Sequence, residues 1–584
     1  MNPRRRPVFA DRNRQDPTAV DLLVTPWSTS EVSAIADRAE PAYPITEHGL
    51  PPDGKTVSES ENRSAAKNGA MLGASLFFTA SVGVVVSLFV VPNAVGDRDT
   101  GILGFGEALA IVSLVFAGFG MDTYLRKEVA IRRDHADRTF ASVVFLRLIA
   151  SAVLTIAALT LIALRHRDVA GVQNESAGTF SRTLFVILLF CLAQFSQQTA
   201  ESYAAMLQAV GQVRQQSSLT IWTKSVWAIT IVGGLLLGAG IWVVPLALFI
   251  TESAKMVVLG ISAQKVFNIE WTLRLGEAWP MVKAGSPFLV TAVSVKVIAW
   301  LDVALVKLLT GDDAETGYYH IALRISALAL LLAPLIQWVV LPMAARAAER
   351  SRNDFAELVK RSFQWVLCAG VPMSLLLGLN ADILIKTALP EFTPSIPALR
   401  ILSGVIALAY VSMLGATLLI ADGRSWRVVR ITFLTIAIDA TMNLYMIKHG
   451  WMWWGQGDGA LKAGGAGVGA AISLVTAEVI GASFMAYELR RVVRRISDNE
   501  ARRAVVAMFG VCAVVILVDT VARSLGYVRP VLDLAVMIAL LTAVGVIRRE
   551  WYSIAFRRLG RVVSSRQDGN LPAPKKPPNV GPKR

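Results

Sequence analysis

The sequence predicts an all-α polytopic membrane protein. About fourteen transmembrane helices form two six-helix lobes plus two C-terminal helices, with both tails cytoplasmic. Three observations carry this. Of 584 residues, 54% are hydrophobic and 17% charged, whereas soluble domains run near ~25% charged. Apolar runs recur along the whole chain at about the ~20 residues a helix needs to cross ~30 Å of hydrocarbon. Lys and Arg then collect in every second loop.

Taken in order, residues 1–66 are polar, with prolines from Pro3 to Pro52 and no sustained period, and read as a disordered cytoplasmic tail. No apolar leader follows Met1 to Arg6, so no signal peptide is expected. The N-terminal lobe, 67–263, holds spans at about 70–92, 103–124, 140–164, 182–208, 218–238 and 241–263. Its last two are nearly continuous and divide at Gly238-Ala239-Gly240. A cytoplasmic linker, 264–283, leads to the C-terminal lobe, 284–490. Spans there fall at about 285–309, 318–345, 362–385, 397–421, 428–447 and 467–488. Residues 491–547 supply a loop and two extra helices, about 504–523 and 530–547. The rest, 548–584, is a basic, Pro-rich cytoplasmic tail.

The loops on the side of the tails carry more than twice as many Lys and Arg as the loops opposite, which places both tails in the cytoplasm. Topology thereby accounts for the net charge of +15, and no nucleic acid is required. An internal echo supports two lobes. The acidic hairpin from Gly96 to Gly101 follows the first span, and the acidic hairpin from Gly311 to Gly317 follows the seventh. Two copies of a six-span unit are a common transporter plan.

The centre of interest is the pair of spans around the second hairpin. The stretch LDVALVKLLTGDDAETGYYHIALRISALALLLAPLIQWVVLPMAAR (301–346) resembles the central helix pair of Wzx-type polysaccharide flippases of the multidrug/oligosaccharidyl-lipid/polysaccharide exporter superfamily. The matching positions are Asp302, Gly317-Tyr318, Ala322-Leu323-Arg324, and Pro342 with Arg346. Weaker matches are GFGMDTYLRKEVA (118–130) and GGAGVGAAIS (464–473), and the resemblance spans about 67–490. It implies a flippase that moves an undecaprenyl-(pyro)phosphate-linked polysaccharide repeat unit across the cytoplasmic membrane by alternating access. Partners implied are the lipid-linked oligosaccharide, membrane lipids, and the polymerase and glycosyltransferases of the same pathway.

Ionisable residues at membrane depth are costly and mark paths or pairs. Lys296, Lys307, Arg147, Lys224 and Lys255 are the candidates for a cationic cavity that offsets substrate phosphate, with Trp300 as a surface for a sugar ring. Lys296 has no acid three or four residues away, and Lys307 lies three turns on, on nearly the same face. Asp302 and Arg324 fall at similar depth on adjacent antiparallel helices and are expected to pair, as are Glu201 with Lys224 and Glu252 with Lys255. Glu107, Asp439 and Glu478 are candidates for coupling to protons or sodium. No cofactor is expected, and neither the three cysteines nor the five histidines have disulfide or metal-site spacing.

Three rivals share parts of this pattern. A lipid II flippase has the same span count, but its Arg-rich first span is missing here, since Ala70 to Pro92 carries no charge. A cation-coupled multidrug antiporter of the same fold should have a cavity dominated by acids. A glycosyltransferase or polymerase needs larger outer loops than 165–181 and 448–466, so no enzyme is expected.

Overall fold

The computed structural model describes residues 75–543 apart from 76, 123, 126–128, 130–132, 170–176, 210–212, 268, 270–274, 331–332, 457–460 and 494–498. The predicted tails at 1–66 and 548–584 lie outside the described residues. The chain is helical throughout the described elements. Among the described residues, nine helices are long and apolar enough to cross a membrane, by length and composition alone.

The first, α1 (Phe77–Leu114), is the most informative. Gly96 interrupts it at φ 80°, ψ −177°, a conformation that glycine adopts without a Cβ penalty. Ser87 and Glu107 line one cavity of about 110 Å³, yet twenty residues of straight helix would hold them ~30 Å apart. The chain therefore reverses at Gly96, and α1 is two antiparallel legs. Its second leg stops earlier than the predicted 124. After Leu114 come a 3-10 turn, Phe116–Gly118, and left-handed Phe119 and Gly120.

Next come α2 (Arg133–Val169), α3 (Ala177–Ala209), α4 (Val213–Leu236) and α5 (Val243–Val266). Gly238 and Gly240 have φ of 74° and 78°, so the break between α4 and α5 falls at the expected glycines. The long α6 (Leu275–Thr310) begins inside the predicted linker. The span expected at 318–345 is two helices, α7 (Asp313–Ala329) and α8 (Ala333–Arg350). Pro334 near the start of α8 lacks the N–H that would continue the hydrogen-bond ladder. The span expected at 362–385 likewise splits into α9 (Arg352–Leu379) and the short α10 (Ala381–Ala388). Then follow α11 (Ile396–Ala421), α12 (Ser425–Trp453), α13 (Gly465–Val493), α14 (Asn499–Ala522) and α15 (Arg529–Ala543).

The two hairpins meet. A Cβ on Gly101 would overlap the backbone oxygen of Asp313, and one on Gly317 would overlap that of Asp97. Each overlap joins a glycine to the aspartate four positions earlier in the other hairpin, so the contact is reciprocal. It aligns Asp97-Arg98-Asp99-Thr100-Gly101 with Asp313-Ala314-Glu315-Thr316-Gly317. Tyr318 adds an O–H···O bond to Asp97 Oδ2 at 2.6 Å.

The apolar cores follow this clasp. At the hairpin end one continuous core crosses the lobes, joining Ile102 and Phe105 of α1 to Tyr319 and Ile321 of α7 and to Leu399 of α11. At the opposite end the cores are separate. One holds Phe140, Met206 and Leu259, and the other Phe355, Leu414 and Leu489. The two halves of the bundle thus share one core at the hairpin end, while at the other end the two cores are separate and α6 approaches the first of them at Val282 and Gly285. Large apolar side chains such as Leu236 and Val521 stay more than 70% exposed, as a lipid-facing surface requires.

Candidate functional site

The interface between the lobes is built on the second leg of α1, on α4 and α5 from one side, and on α6 and α7 from the other. Glu107 of α1 forms an ion pair with Arg324 of α7, linking the two lobes directly. The expected Asp302–Arg324 pair is absent. Tyr319, five residues before Arg324, donates its hydroxyl to Asp302 Oδ2 at 2.8 Å, and five residues turn a helix by ~140° from the starting face. Depth was matched, but Arg324 looks toward α1 and away from Asp302.

Around Arg324 lie Trp300, with the guanidinium 5.9 Å from its ring centre, and His320, 6.2 Å from the same ring. These residues adjoin the 110 Å³ cavity, which Lys224 and Trp227 also line. A second cavity of about 50 Å³ shares Lys224 and Trp227 and adds Glu252 and Lys255. Lys224 therefore stands between the two. Its Nζ rests 3.3 Å from the Trp227 ring centre, and its stem passes the open face of Gly83. The expected Glu201–Lys224 pair does not form, because Lys224 reaches toward α1 while Glu201 accepts a bond from Gln197 at 3.3 Å. Glu252 and Lys255 do pair, at 3.2 Å. Trp227 Nε1 and His320 Nδ1 are buried without a hydrogen-bond partner among the described residues.

Lys296 is half-buried on α6 and lies within electrostatic reach of Glu201. Among the described residues it forms no ion pair. Two other predicted cations are structural. Lys307 sits 2.8 Å from Asp313 and donates to the Gly311 oxygen at 2.7 Å, because the end of α6 leaves carbonyls that a nearby ammonium can satisfy. Arg147 is 1% exposed. It donates to the carbonyls of Gly118 and Gln198 and to Ser202 Oγ, with Asp122 at 3.6 Å. The break after Leu114 frees the Gly118 carbonyl, and a guanidinium has five donors to spend on such groups.

A separate cluster occupies the C-terminal lobe. Asp302 of α6 and Asp439 of α12 lie carboxyl against carboxyl, 1% and 2% exposed. Asn443 Nδ2 donates to Asp302 at 2.8 Å. Both oxygens of Asp439 and Oδ1 of Asn443 have no donor among the described residues. Two buried carboxylates cannot face each other bare, so the arrangement suits one shared proton or one small cation. Glu478 of α13 accepts from Ser412 at 2.9 Å and lies within electrostatic reach of Asp439. Asn443 and Tyr319 were not singled out from sequence. The Asp439-x-x-x-Asn443 spacing, which puts both on one helix face, was the available signal.

A bundle of long apolar helices with exposed apolar flanks is the architecture of a multi-pass membrane protein. Residues 65–348 match the family described as "Polysaccharide biosynthesis protein". No curated protein matches it in sequence. Among solved structures, the fold is similar to "Lipid II flippase MurJ, inward closed conformation" (TM-score 0.61, 13% identity, 85% of this chain and 99% of that one). It is also similar to a multidrug resistance MATE family transporter of the MOP superfamily, in an inward-facing conformation (TM-score 0.53, 14% identity, 72% and 100% covered). A third likeness is to a MOP superfamily transporter from Pyrococcus furiosus described as having reverse polarity of its binding pocket (TM-score 0.50, 14% identity, 73% and 96% covered).

Proposed function

We propose that the protein flips an undecaprenyl-(pyro)phosphate-linked polysaccharide repeat unit across the cytoplasmic membrane by alternating access. The observation that carries this is the gathering of Arg324, Lys224 and Lys255 around two adjoining cavities, one where α1, α4 and α5 meet α7 and one between α1, α4 and α5. A phosphate head must leave water, and its charge needs cations and donors to do so. Lys296, within electrostatic reach of Glu201 as Lys255 is, adds a further positive charge on α6. The unpartnered Trp227 Nε1 and His320 Nδ1 add donors or acceptors for the head or for bound water. Glu107 holds Arg324 when no substrate is present, and the phosphate competes for it.

On this reading the chain has fourteen spans with both tails in the cytoplasm. The lobes are 67–263 and 284–490, and the hairpin clasp lies on the outer side. The shared core at that end and the separate cores opposite favour a resting form that admits substrate from the cytoplasm. Coupling to protons or sodium runs through Asp302 and Asp439, with Glu478 beside them. Glycosyltransferases and a polymerase of the same pathway supply and consume the lipid-linked glycan.

Lipid II is the second reading, favoured by the fold likeness to a lipid II flippase. The first leg of α1 argues against it, since it carries no basic residue. The test is translocation by the purified chain in proteoliposomes, with a fluorescent undecaprenyl-pyrophosphate oligosaccharide and with lipid II. Movement of the oligosaccharide lipid alone is expected. Movement of lipid II alone reverses the order of the two readings, and movement of neither overturns both.

A further inference from the structure

Helices α14 and α15 lie outside the two-lobe repeat, and the transport reading gives them no role. They meet the C-terminal lobe through a small apolar seam, Val511, Val515, Met537 and Leu541 against Leu375, Leu376 and Leu379 of α9. Beside that seam, between α9, α11, α14 and the start of α15, is a cavity of about 720 Å³.

Its two ends differ in chemistry. At the hairpin end, Arg529 is 7% exposed and lies 2.9 Å from Asp382 and 2.8 Å from Asp519. Arg400, 3.4 Å from Asp382, keeps its side chain 52% exposed. Away from that end the wall is Val371, Cys512 and Phe509. Phe509 is 68% exposed despite its size, and it lies ten residues from Asp519, ~15 Å along α14. The cavity is charged at the level where helices end and apolar for the next ~15 Å into the bilayer region. Such a gradient fits an amphiphile, with its head at the arginines and a chain along Phe509.

The charges also select the head. Two arginines and two aspartates line the charged end. A purely anionic head would set its phosphate against Asp382 and Asp519. A head bearing both a phosphate and a primary ammonium satisfies both signs, the phosphate on the exposed Arg400 and the ammonium on the carboxylates. We propose that this cavity is a binding site for a membrane glycerophospholipid with an amine-bearing zwitterionic head, held by Arg400 and Asp382 with one acyl chain along Cys512 and Phe509. The site is separate from the inter-lobe cleft and stands whatever the cargo.

Native mass spectrometry of the full chain tests this after exchange into phosphatidylethanolamine, phosphatidylglycerol or phosphatidylcholine of matched chains. The expected result is one phosphatidylethanolamine retained per chain, favoured over the other two by roughly fivefold or more. Arg400→Ala should remove the preference, and Cys512→Trp, which fills the apolar shaft, should remove the bound lipid. Arg361→Ala serves as the control, since Arg361 is exposed and pairs with Glu357 on the same helix. Thermal melting of each variant checks folding, and Arg529 is left intact because its network ties α15 to α9. Equal retention of the three lipids overturns the proposal. Retention that ignores both Arg400→Ala and Cys512→Trp does so too, as does preferential capture of added polyprenyl phosphate.

Discussion

At the residue scale, the charges divide into those that hold helices together and those that face the cleft. On the proposed function Lys296 belongs to the second group, with Glu201 an acid in its electrostatic reach. Lys296→Ala is expected to abolish glycan export while membrane abundance stays near normal, and Lys296→Arg to keep part of the activity because the charge survives. Export and abundance measured on the same cells check this, and normal export by Lys296→Ala removes the residue from the mechanism. Arg324 makes a second case. Because its partner is Glu107, a double-mutant cycle on Glu107→Ala and Arg324→Ala should show a coupling of about 1–3 kcal/mol in thermal or denaturant stability. The cycle on Asp302→Ala and Arg324→Ala should be additive. Coupling in the second cycle and none in the first would contradict the pairing.

At the scale of elements, the clasp between the two hairpins joins the two halves of the bundle. Backbone touches backbone at Gly101 and Gly317, so no flexible side chain can move aside for a new Cβ. Gly101→Val should part the hairpins. A cysteine at Thr100, 3% exposed in the closed clasp, should then react with an impermeant maleimide far faster than in the parent chain, and export should fall. Unchanged labelling would show that the clasp tolerates the side chain. Glu315, in the same hairpin, accepts from the N–H groups of Gly464 and Ala466 at the start of α13, where a negative charge suits the helix dipole. Burial nevertheless pushes its carboxyl from 4.5 up to about 7, with those N–H bonds pulling the other way. A raised carboxyl pKa in the folded state stabilises below the unfolded value and loses that contribution as pH climbs toward 7. The melting temperature of the parent should therefore drop between pH 4.5 and 7 relative to Glu315→Gln, and parallel profiles for the two would refute the assignment.

For the whole molecule, the prediction is topological. The fourteen-span reading puts Gly455 and Ser497 on opposite sides of the membrane. A reporter fused after Gly455 should signal outside, and one after Ser497 the cytoplasm. Reversal of either breaks the fourteen-span reading. The sealed hairpin end and the separate cores opposite are also properties of this scale, because no single helix shows them.

The sequence by itself determined the helical class, the positions of most spans, both hairpins, the glycine break between α4 and α5, and the inventory of intramembrane charges. These are one-dimensional properties, since hydropathy, glycine placement and charge are legible without knowing what lies beside a helix. It also located the Glu252–Lys255 pair, whose partners share one helix face. Only the tertiary structure decided the long-range partners: Arg324 with Glu107, Asp302 with Tyr319, Asn443 and Asp439, and Arg147 with the broken end of α1. Depth in the membrane can be counted from sequence. The direction a side chain points around its helix, and which neighbour waits there, depends on how the helices rotate and pack. That packing is settled by many weak contacts at once.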